Sequence, residues 1–406
     1  MNKSNSILFL DVEGGWGGSS RSLYYIIKFL DRTNFKPIVL MRKKGPVQDM
    51  YKKIGVACFV VPEMASFRPA DRKNLVAFII YAWRMRKYLK FSGKVRELAN
   101  SYNIRLIHVN HESLALTGAL VAWQLGLPWV AHIRTLLTPG WFARRVYGVI
   151  ARYAKHSIFI TNPNFEHFRD MLKIPLDSTK CSVIHNITPD TTETIALDEM
   201  TRSSQKFKVL SLTNFAPSRG VDRIIEVAEA LKNRGESDFE FFLFGQPSQV
   251  NAITGLPDKY YENLQKRVHK LGLNRSVFFL GHTAHPEKAL AGCDALLKLT
   301  RQSNPWGRDI IEALAAGVPI LTLGVFTEFV EDGVNGYITK NYNVENIVDR
   351  LLNLSKSSEL CEKISEANRL KAKVLFNGEE RAKDILAVYT NILNSNSILA
   401  ESYQVR

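Results

Sequence analysis

The sequence predicts an α/β protein made of two doubly wound domains that face each other across a cleft. Three observations lead there. Short apolar runs alternate with helix-length segments over the first half of the chain, the pattern of a parallel sheet with helices on both faces. A polar stretch interrupts the alternation, which then restarts in the same form. The length, 406 residues, is about what two domains of roughly 100–200 residues need.

The elements follow in order. Ser6–Val12 is a short apolar strand, followed by a glycine-rich turn and a helical pattern over Ser19–Leu30. Lys36–Met41 (PIVLM) and Ala57–Val61 (ACFVV) are strands, and Arg72–Leu98 reads as one long helix. Leu106–Asn110 is strand, Leu114–Leu125 helix and Trp129–Ile133 strand. A basic amphipathic segment covers Trp141–Tyr153, then come the strand Ser157–Thr161 and a helix over Asn164–Leu172. Ile184–Thr194 holds the last strand-like piece, and the linker falls at about residues 190–205. The second half repeats the scheme. Strands are expected at Phe207–Leu212, Phe239–Phe244, Val277–Leu280, Ala295–Leu299 and Pro319–Leu323, with helices at Gly220–Asn233, Pro257–Leu271 and Ile310–Ala316. Glu328–Tyr337 reads as a helix end and turn. The expected domains are 1–195 and 196–379, with a helical tail, 380–406, packing back on the first.

Composition narrows the class. Hydrophobic residues make up 46% of the chain, too many for disorder. The apolar run at the start is too short for a secretion signal, and the longest run, Leu75–Trp83, is far below the roughly 20 residues that span a bilayer. Cys58, Cys181, Cys293 and Cys361 form no paired motif, so they read as reduced thiols of a cytoplasmic protein. The net charge is +15, and it is unevenly placed: residues 1–190 carry 28 basic and 12 acidic residues, residues 191–406 carry 26 and 27. The whole excess lies in the first half and asks for an anionic partner there.

Gly14-Gly15-Trp16-Gly17-Gly18-Ser19-Ser20 lies between a strand and a helix. Glycines let the backbone approach a ligand closely, and the helix start offers free N–H groups and a positive dipole end. Gly17 and Gly18 are therefore candidate binding positions, with Ser19 or Ser20 as the expected cap. A tight strand–helix turn is the alternative reading. The run nearly matches a dinucleotide fingerprint, but the third glycine is Ser20. Arg42, Lys43 and Lys44 end the second strand in place of the acid that a nicotinamide ribose needs. An NADP-dependent reductase thus stays open.

Three features cluster in the second half. The string Asn214-Phe-Ala-Pro-Ser-Arg219-Gly220-Val-Asp222 lies between strand and helix, with Arg219 at the helix entrance, where a guanidinium pairs with phosphate oxygens. The string Asn304-Pro305-Trp306-Gly307-Arg308-Asp309-Ile-Ile-Glu312, running on to Pro319, opens a helix with free amides near Gly307. The third is Glu331-Asp-Gly-Val-Asn-Gly336-Tyr.

Together these resemble the retaining, nucleotide-sugar-dependent glycosyltransferases of family 4, which have the two-Rossmann GT-B fold. The likeness runs from the Gly15–Ser20 loop to Gly336 and includes the first-half strings Ile107-His-Val-Asn110 and Val130-Ala-His132-Ile-Arg134. The resemblance implies that Glu312 binds the donor ribose and that Arg219, in place of the usual Lys, contacts the donor diphosphate. It puts His132 near the transferred sugar and the acceptor, and His282, in the His282-Thr-Ala-His285 loop, near the donor base. Two positions depart from it. Asn214 replaces an Arg on the diphosphate, and Asn304 replaces the first acid of the usual pair of glutamates beside the sugar. Arg308 is expected to restore part of the missing positive charge. His108 and His111 read as structural, and Asp222 as a brace for its helix.

Departure of an anionic diphosphate needs fixed cations and helix N-termini rather than new covalent chemistry. No Asp-x-Asp element is present and the His282–His285 pair has no third ligand at metal spacing, so no metal and no other cofactor are expected. In the basic first half, the segment from Arg68 to Arg96 and the segment from Trp141 to Lys155 interleave cations with aromatic and aliphatic residues. Such helices suit the interface of an anionic membrane. Buried helices with a solvated basic side are the other reading, and no nucleic-acid module is visible. The expected function is sugar transfer from a UDP-, GDP- or dTDP-linked donor to a glycan or lipid-linked glycan in surface polysaccharide assembly, at the inner face of a membrane. A reductase, a sugar-nucleotide epimerase and a non-catalytic sugar-nucleotide-binding protein are the competing readings.

Overall fold

The computed structural model describes residues 5–12, 14–15, 17–67, 74–172, 176–189, 196–201, 205–247, 259–302 and 306–404. The chain divides into two compact units, residues 1–187 with 377–406, and residues 188–376. The boundary at 187/188 precedes the expected linker, of which residues 190–195 and 202–204 lie outside the described residues.

The first unit contains β1 (Asn5–Asp11), α1 (Gly18–Phe29), β2 (Phe35–Met41), α2 (Pro46–Lys53), β3 (Ala57–Val60), α3 (Asn74–Met85) and α4 (Tyr88–Tyr102). It continues with β4 (Ile104–Val109), α5 (Ala115–Leu125), β5 (Trp129–Ile133), α6 (Trp141–Tyr153), β6 (His156–Phe159), α7 (Asn162–Leu172) and β7 (Cys181–Val183). All seven strands are parallel, in the order β3-β2-β1-β4-β5-β6-β7. The central strands are apolar at successive positions because both faces are covered. Leu8 and Leu10 of β1 join one core layer, and Ile7 and Phe9 join the other.

The second unit contains α8 (Asp198–Thr201), β8 (Phe207–Leu212), α9 (Val221–Asn233), β9 (Phe239–Phe244), α10 (Tyr260–Lys270), β10 (Val277–Gly281), α11 (Pro286–Ala291) and β11 (Ala295–Lys298). Then follow α12 (Arg308–Ala316), β12 (Ile320–Leu323), β13 (Tyr337–Thr339), α13 (Val344–Lys356) and α14 (Ser358–Leu375). Its sheet has the order β10-β9-β8-β11-β12-β13, again parallel. The final helix, α15 (Gly378–Gln404), returns to the first unit. Ile385, Val388, Tyr389 and Ile392 recur at the i, i+3, i+4, i+7 spacing of one helical face and enter the core layer that contains Ile7 and Phe9.

Four expectations change. The helix expected over Arg72–Leu98 is two helices: Arg86 and Lys87 form a turn between α3 and α4, and Arg68–Lys73 lie outside the described residues. Charge and apolar periodicity run through that turn unbroken, so the break carries no sequence signal. The strand expected within Ile184–Thr194 is β7, a few residues earlier. Glu328–Tyr337 is a turn between strands rather than a helix end. Asn335 accepts from the Glu331 amide at 2.7 Å and donates to Asn368 at 3.0 Å, which ties the turn to α14. The string that carries much of the resemblance is therefore a structural tether. Finally, α1 begins at Gly18 with Gly17 at its cap, so Ser19 and Ser20 sit inside the first turn and do not cap it.

Candidate functional site

Both sheets reverse winding direction beside their first strand, between β1 and β4 and between β8 and β11. The crevice at the carboxyl ends of such strands is where doubly wound sheets bind ligands. The candidate residues gather at these two points, one in each unit.

In the second unit, the β8–α9 turn is held against the end of β11. The Ser218 carbonyl accepts from the Arg301 amide at 2.9 Å and from the Thr300 hydroxyl at 3.1 Å. Gly220 has φ +73°, and a Cβ there would lie 1.9 Å from the Leu299 carbonyl oxygen. Only glycine lets the two segments approach so closely. Arg219, half-buried, is thereby placed beside Lys298 at the end of β11. Asp222 is a brace, as read: it accepts from Arg301 at 2.8 and 2.5 Å and from the Tyr260 hydroxyl at 2.6 Å. Burial pushes its carboxyl up, but Arg301 and Tyr260 hold it below the usual value.

Lys298 is a functional candidate that sequence reasoning passed over. It lies in an apolar strand, Ala-Leu-Leu-Lys, and is buried, with its Nζ 2.6 Å from Asp309 of α12. Burial lowers its pKa, Asp309 opposes that, and the nearby Arg219 charge adds to the lowering. Gly307 caps α12, and a Cβ there would come within 2.4 Å of Lys298 Nζ and 2.3 Å of Asp309 Oδ1. The glycine keeps this ion pair directly under the helix start, where first-turn amides favour an anion.

One turn on, Arg308 donates to Glu312 through Nε at 2.8 Å and Nη2 at 2.7 Å, both side chains buried. Arg308 is thus engaged with the ribose-binding candidate rather than standing as an independent cation for a diphosphate. The i, i+4 spacing on one helix face brings them together. Trp306 is also revised: its side chain is buried against Phe326, centroids 5.2 Å apart, so the position can offer a ligand its backbone only. Asn304 and Pro305 lie outside the described residues. Asn214 is exposed and its side-chain Oδ1 accepts from the Gln246 amide at 3.2 Å. His282 is exposed just past the edge strand β10, two strands from β8, and makes no hydrogen bond among the described residues. The structure brings Arg219, Gly307, Arg308 and Glu312 together with Lys298; it does not join His282 to them.

In the first unit, Gly14 packs on the backbone after β2: a Cβ there would lie 1.8 Å from the Lys43 carbonyl oxygen. Gly17 and Gly18 open α1, and Asn110, at the end of β4, ties that opening down. Its amide donates to Asp11 at 3.0 Å and to the Ser19 carbonyl at 3.2 Å. Asn110 in turn accepts from Arg134, whose Nε and Nη2 lie 3.0 and 2.7 Å from its Oδ1. Arg134 Nη1 also donates to Asn186 at 2.8 Å, and its amide to Glu112 at 3.0 Å. His132, the candidate site histidine on β5, is buried at the centre of this group. Its Nδ1 lies 3.3 Å from Arg134 Nη2 and 3.3 Å from His108 Nε2. Burial first, then the Arg134 charge, push the His132 pKa well down, and the same causes take His108 to about 3. Both imidazoles are neutral near pH 7. His111 caps a short turn, accepting from the Ser113 amide. Asn110 and Arg134 carry the first-half resemblance, yet their joint role shows only when β4 and β5 lie side by side.

Among the described residues no group of three or more His, Cys, Asp or Glu side chains is placed to hold a metal ion. No described helix is long and apolar enough to cross a membrane.

Comparison with known proteins agrees with this arrangement. Residues 16–190 match the family model described as Glycosyltransferase Family 4, and residues 196–371 that described as Glycosyl transferases group 1. Poly(ribitol-phosphate) alpha-N-acetylglucosaminyltransferase of Staphylococcus aureus (strain COL) is 26% identical over 187 residues, 45% of this chain and 34% of that protein. N-acetyl-alpha-D-glucosaminyl L-malate synthase of Bacillus anthracis is 26% identical over 197 residues, 48% of each chain. The chain thus spans at most about half the length of these curated relatives. The solved structure of Anabaena HepE in complex with UDP-glucose superposes with a TM-score of 0.75 at 21% identity, covering 95% of this chain and 99% of that one. With two family models covering most of the chain and this fold, the protein belongs to the family 4 glycosyltransferases of GT-B fold.

Proposed function

We propose that the protein transfers a sugar, with retention, from a nucleotide diphospho-sugar to an anionic or lipid-linked glycan acceptor. The observation that carries this reading is the convergence of Arg219, Lys298 and the first turn of α12 at the carboxyl ends of the adjacent strands β8 and β11. This is a prepared site for the diphosphate that must leave. Fixed cations and helix amides stabilise developing negative charge without reorganising during the reaction. Lys298, neutralised by Asp309, fixes the start of α12 and adds no net charge, so Arg219 carries the positive charge there. Glu312, oriented by Arg308, accepts from ribose hydroxyls. His132, in the first unit, is the histidine that the family resemblance associates with the transferred sugar. No metal enters this scheme. The UDP-glucose complex of HepE makes uracil the first base to try, and the S. aureus relative is named for an anionic acceptor.

The acceptor side is supported by α3 and α6. Leu75, Val76, Phe78, Ile79, Ile80 and Trp83 of α3 are exposed, as is Trp141 of α6. Phe78 and Phe142 join the two helices, ring centroids 5.4 Å apart. Arg86 lies over Trp83 and Arg145 over Trp141, at 4.7 and 4.9 Å. A contiguous apolar face set among cations is rare on a free surface and suits an anionic bilayer, where each basic residue contributes about 1 kcal/mol.

The test is a panel of UDP-, GDP- and dTDP-sugars read by thermal shift and by nucleotide release. One donor is expected to raise the unfolding midpoint, since it binds only the native state, and to release nucleoside diphosphate. Binding without turnover under any acceptor condition would favour a non-catalytic sugar-nucleotide-binding protein. Reduction by NADPH without any nucleotide-sugar effect would favour the reductase.

A further inference from the structure

The last helix reaches the first-unit site. Tyr389 of α15 is fully buried, and its hydroxyl lies 2.7 Å from His108 Nδ1. His108 Nε2 faces His132 Nδ1, which also faces Arg134 Nη2. The rings meet closely: Tyr389 is edge-on to His108 at 5.9 Å between centroids, and His108 lies 5.3 Å from His132. The proton positions in this chain follow from its one unambiguous member. A guanidinium can only donate, so His132 Nδ1 must present its lone pair. His108 Nε2 then carries a hydrogen and donates to the same lone pair. His108 Nδ1 is left as acceptor, and Tyr389 donates to it. Each step fits the next, and the outcome falls on the far side of the His132 ring: Nε2 carries the hydrogen. That atom is buried and has no hydrogen-bond partner among the described residues.

We propose that Tyr389 and His108 are positioning residues that, with Arg134, hold His132 as its Nε2–H tautomer, so that the site histidine presents a hydrogen-bond donor to an oxygen of the ligand. His132 is then a donor and not a general base. A base would need the Nε2 lone pair, and Arg134 would have to face an N–H. Burial and the Arg134 charge keep both rings neutral, which the wire requires. The ligand group is an oxygen with a free lone pair, such as a sugar hydroxyl. This identification of the ligand rests on the glycosyl-transfer reading; the tautomer assignment does not.

The test separates the two. The full chain, labelled with ¹⁵N-histidine, is examined without ligand by long-range proton–nitrogen correlation near pH 7, with the His132→Gln and His108→Gln variants assigning the resonances. In the native protein both His132 and His108 are expected to show a protonated Nε2 and an unprotonated Nδ1. A protonated Nδ1 on His132 overturns the proposal whatever the enzyme does. Tyr389→Phe removes one hydroxyl and should return His108 to a mixture of tautomers, with His132 following. If that variant does not fold, the native spectrum still decides. In donor turnover, Tyr389→Phe should lower kcat about three- to tenfold, the worth of one neutral hydrogen bond, with KM unchanged. An unchanged kcat beside altered tautomers overturns the positioning role while leaving the transferase reading intact.

Discussion

Replacing Ile79 and Trp83 of α3 by glutamate should release the protein from anionic membranes without unfolding it. The two residues are one helical turn apart and are 56% and 57% exposed, so more than half of each side chain remains available for burial. Full burial of a large apolar side chain is worth about 1.5–3 kcal/mol, so what remains is roughly 1–1.5 kcal/mol each. The double change therefore forfeits about 2–3 kcal/mol of insertion. Two carboxylates facing an anionic surface add about 2 kcal/mol more, taking the value for one cation as a guide. At 1.4 kcal/mol per decade the partition constant should fall by roughly a thousandfold. The assay is co-sedimentation with phosphatidylglycerol vesicles at low salt, with neutral vesicles as control, alongside thermal unfolding of both proteins. The midpoint should hardly move, because exposed positions away from caps and cores rarely change stability by more than about 0.5 kcal/mol. A double variant that sediments like the native protein, or a native protein that stays in the supernatant, would refute the reasoning.

Other perturbations follow from the same structure. His108 is neutral in the fold with a pKa of about 3, against 6.5 unfolded. The unfolded state alone takes up its proton as pH falls below 6.5, so this stability is complete above that value and is lost on acidification, by about 1.4 kcal/mol at pH 5.5. Denaturant unfolding of the native chain and His108→Gln at pH 7 and pH 5.5 should show the smaller acid loss in the variant, and equal losses would contradict it. Gly307→Ala puts a methyl against Lys298 Nζ and Asp309 Oδ1 and should weaken donor binding at least tenfold, with a loss of stability as this buried ion pair is displaced. Gly220→Ala meets a backbone carbonyl at positive φ and should destabilise the second unit by several kcal/mol; calorimetry with donor titration distinguishes the two. Donor turnover is expected to survive EDTA, and loss restored by Mn²⁺ would show a metal requirement.

Local pattern made much of this protein legible. Central strands covered on both faces read as unbroken apolar runs, and Phe207–Leu212, Phe239–Phe244 and Trp129–Ile133 stand where the pattern put them. Glycines in strand–helix turns pointed to Gly17 and Gly307, because such turns leave a residue-level mark, whereas the close approach at Gly220 showed only in the fold. What the sequence by itself determined was therefore the order of most strands and several of their helices, the two-unit α/β class and the motifs at the strand ends, while α2, α11, β13, α13 and α14 went unread. Side-chain partnerships between distant segments were decided by tertiary structure alone. Lys298 looked like one polar residue in a strand until α12 placed Asp309 against it. The nine apolar residues of Leu75–Trp83 carry the composition of a buried helix, yet most stay exposed, since burial depends on what packs alongside and not on the run itself. Tyr389 lies 281 residues from His108 and meets it only because α15 folds back on the first sheet. Periodicity records which face of an element is apolar, but the contact across two faces is set when the chain closes upon itself.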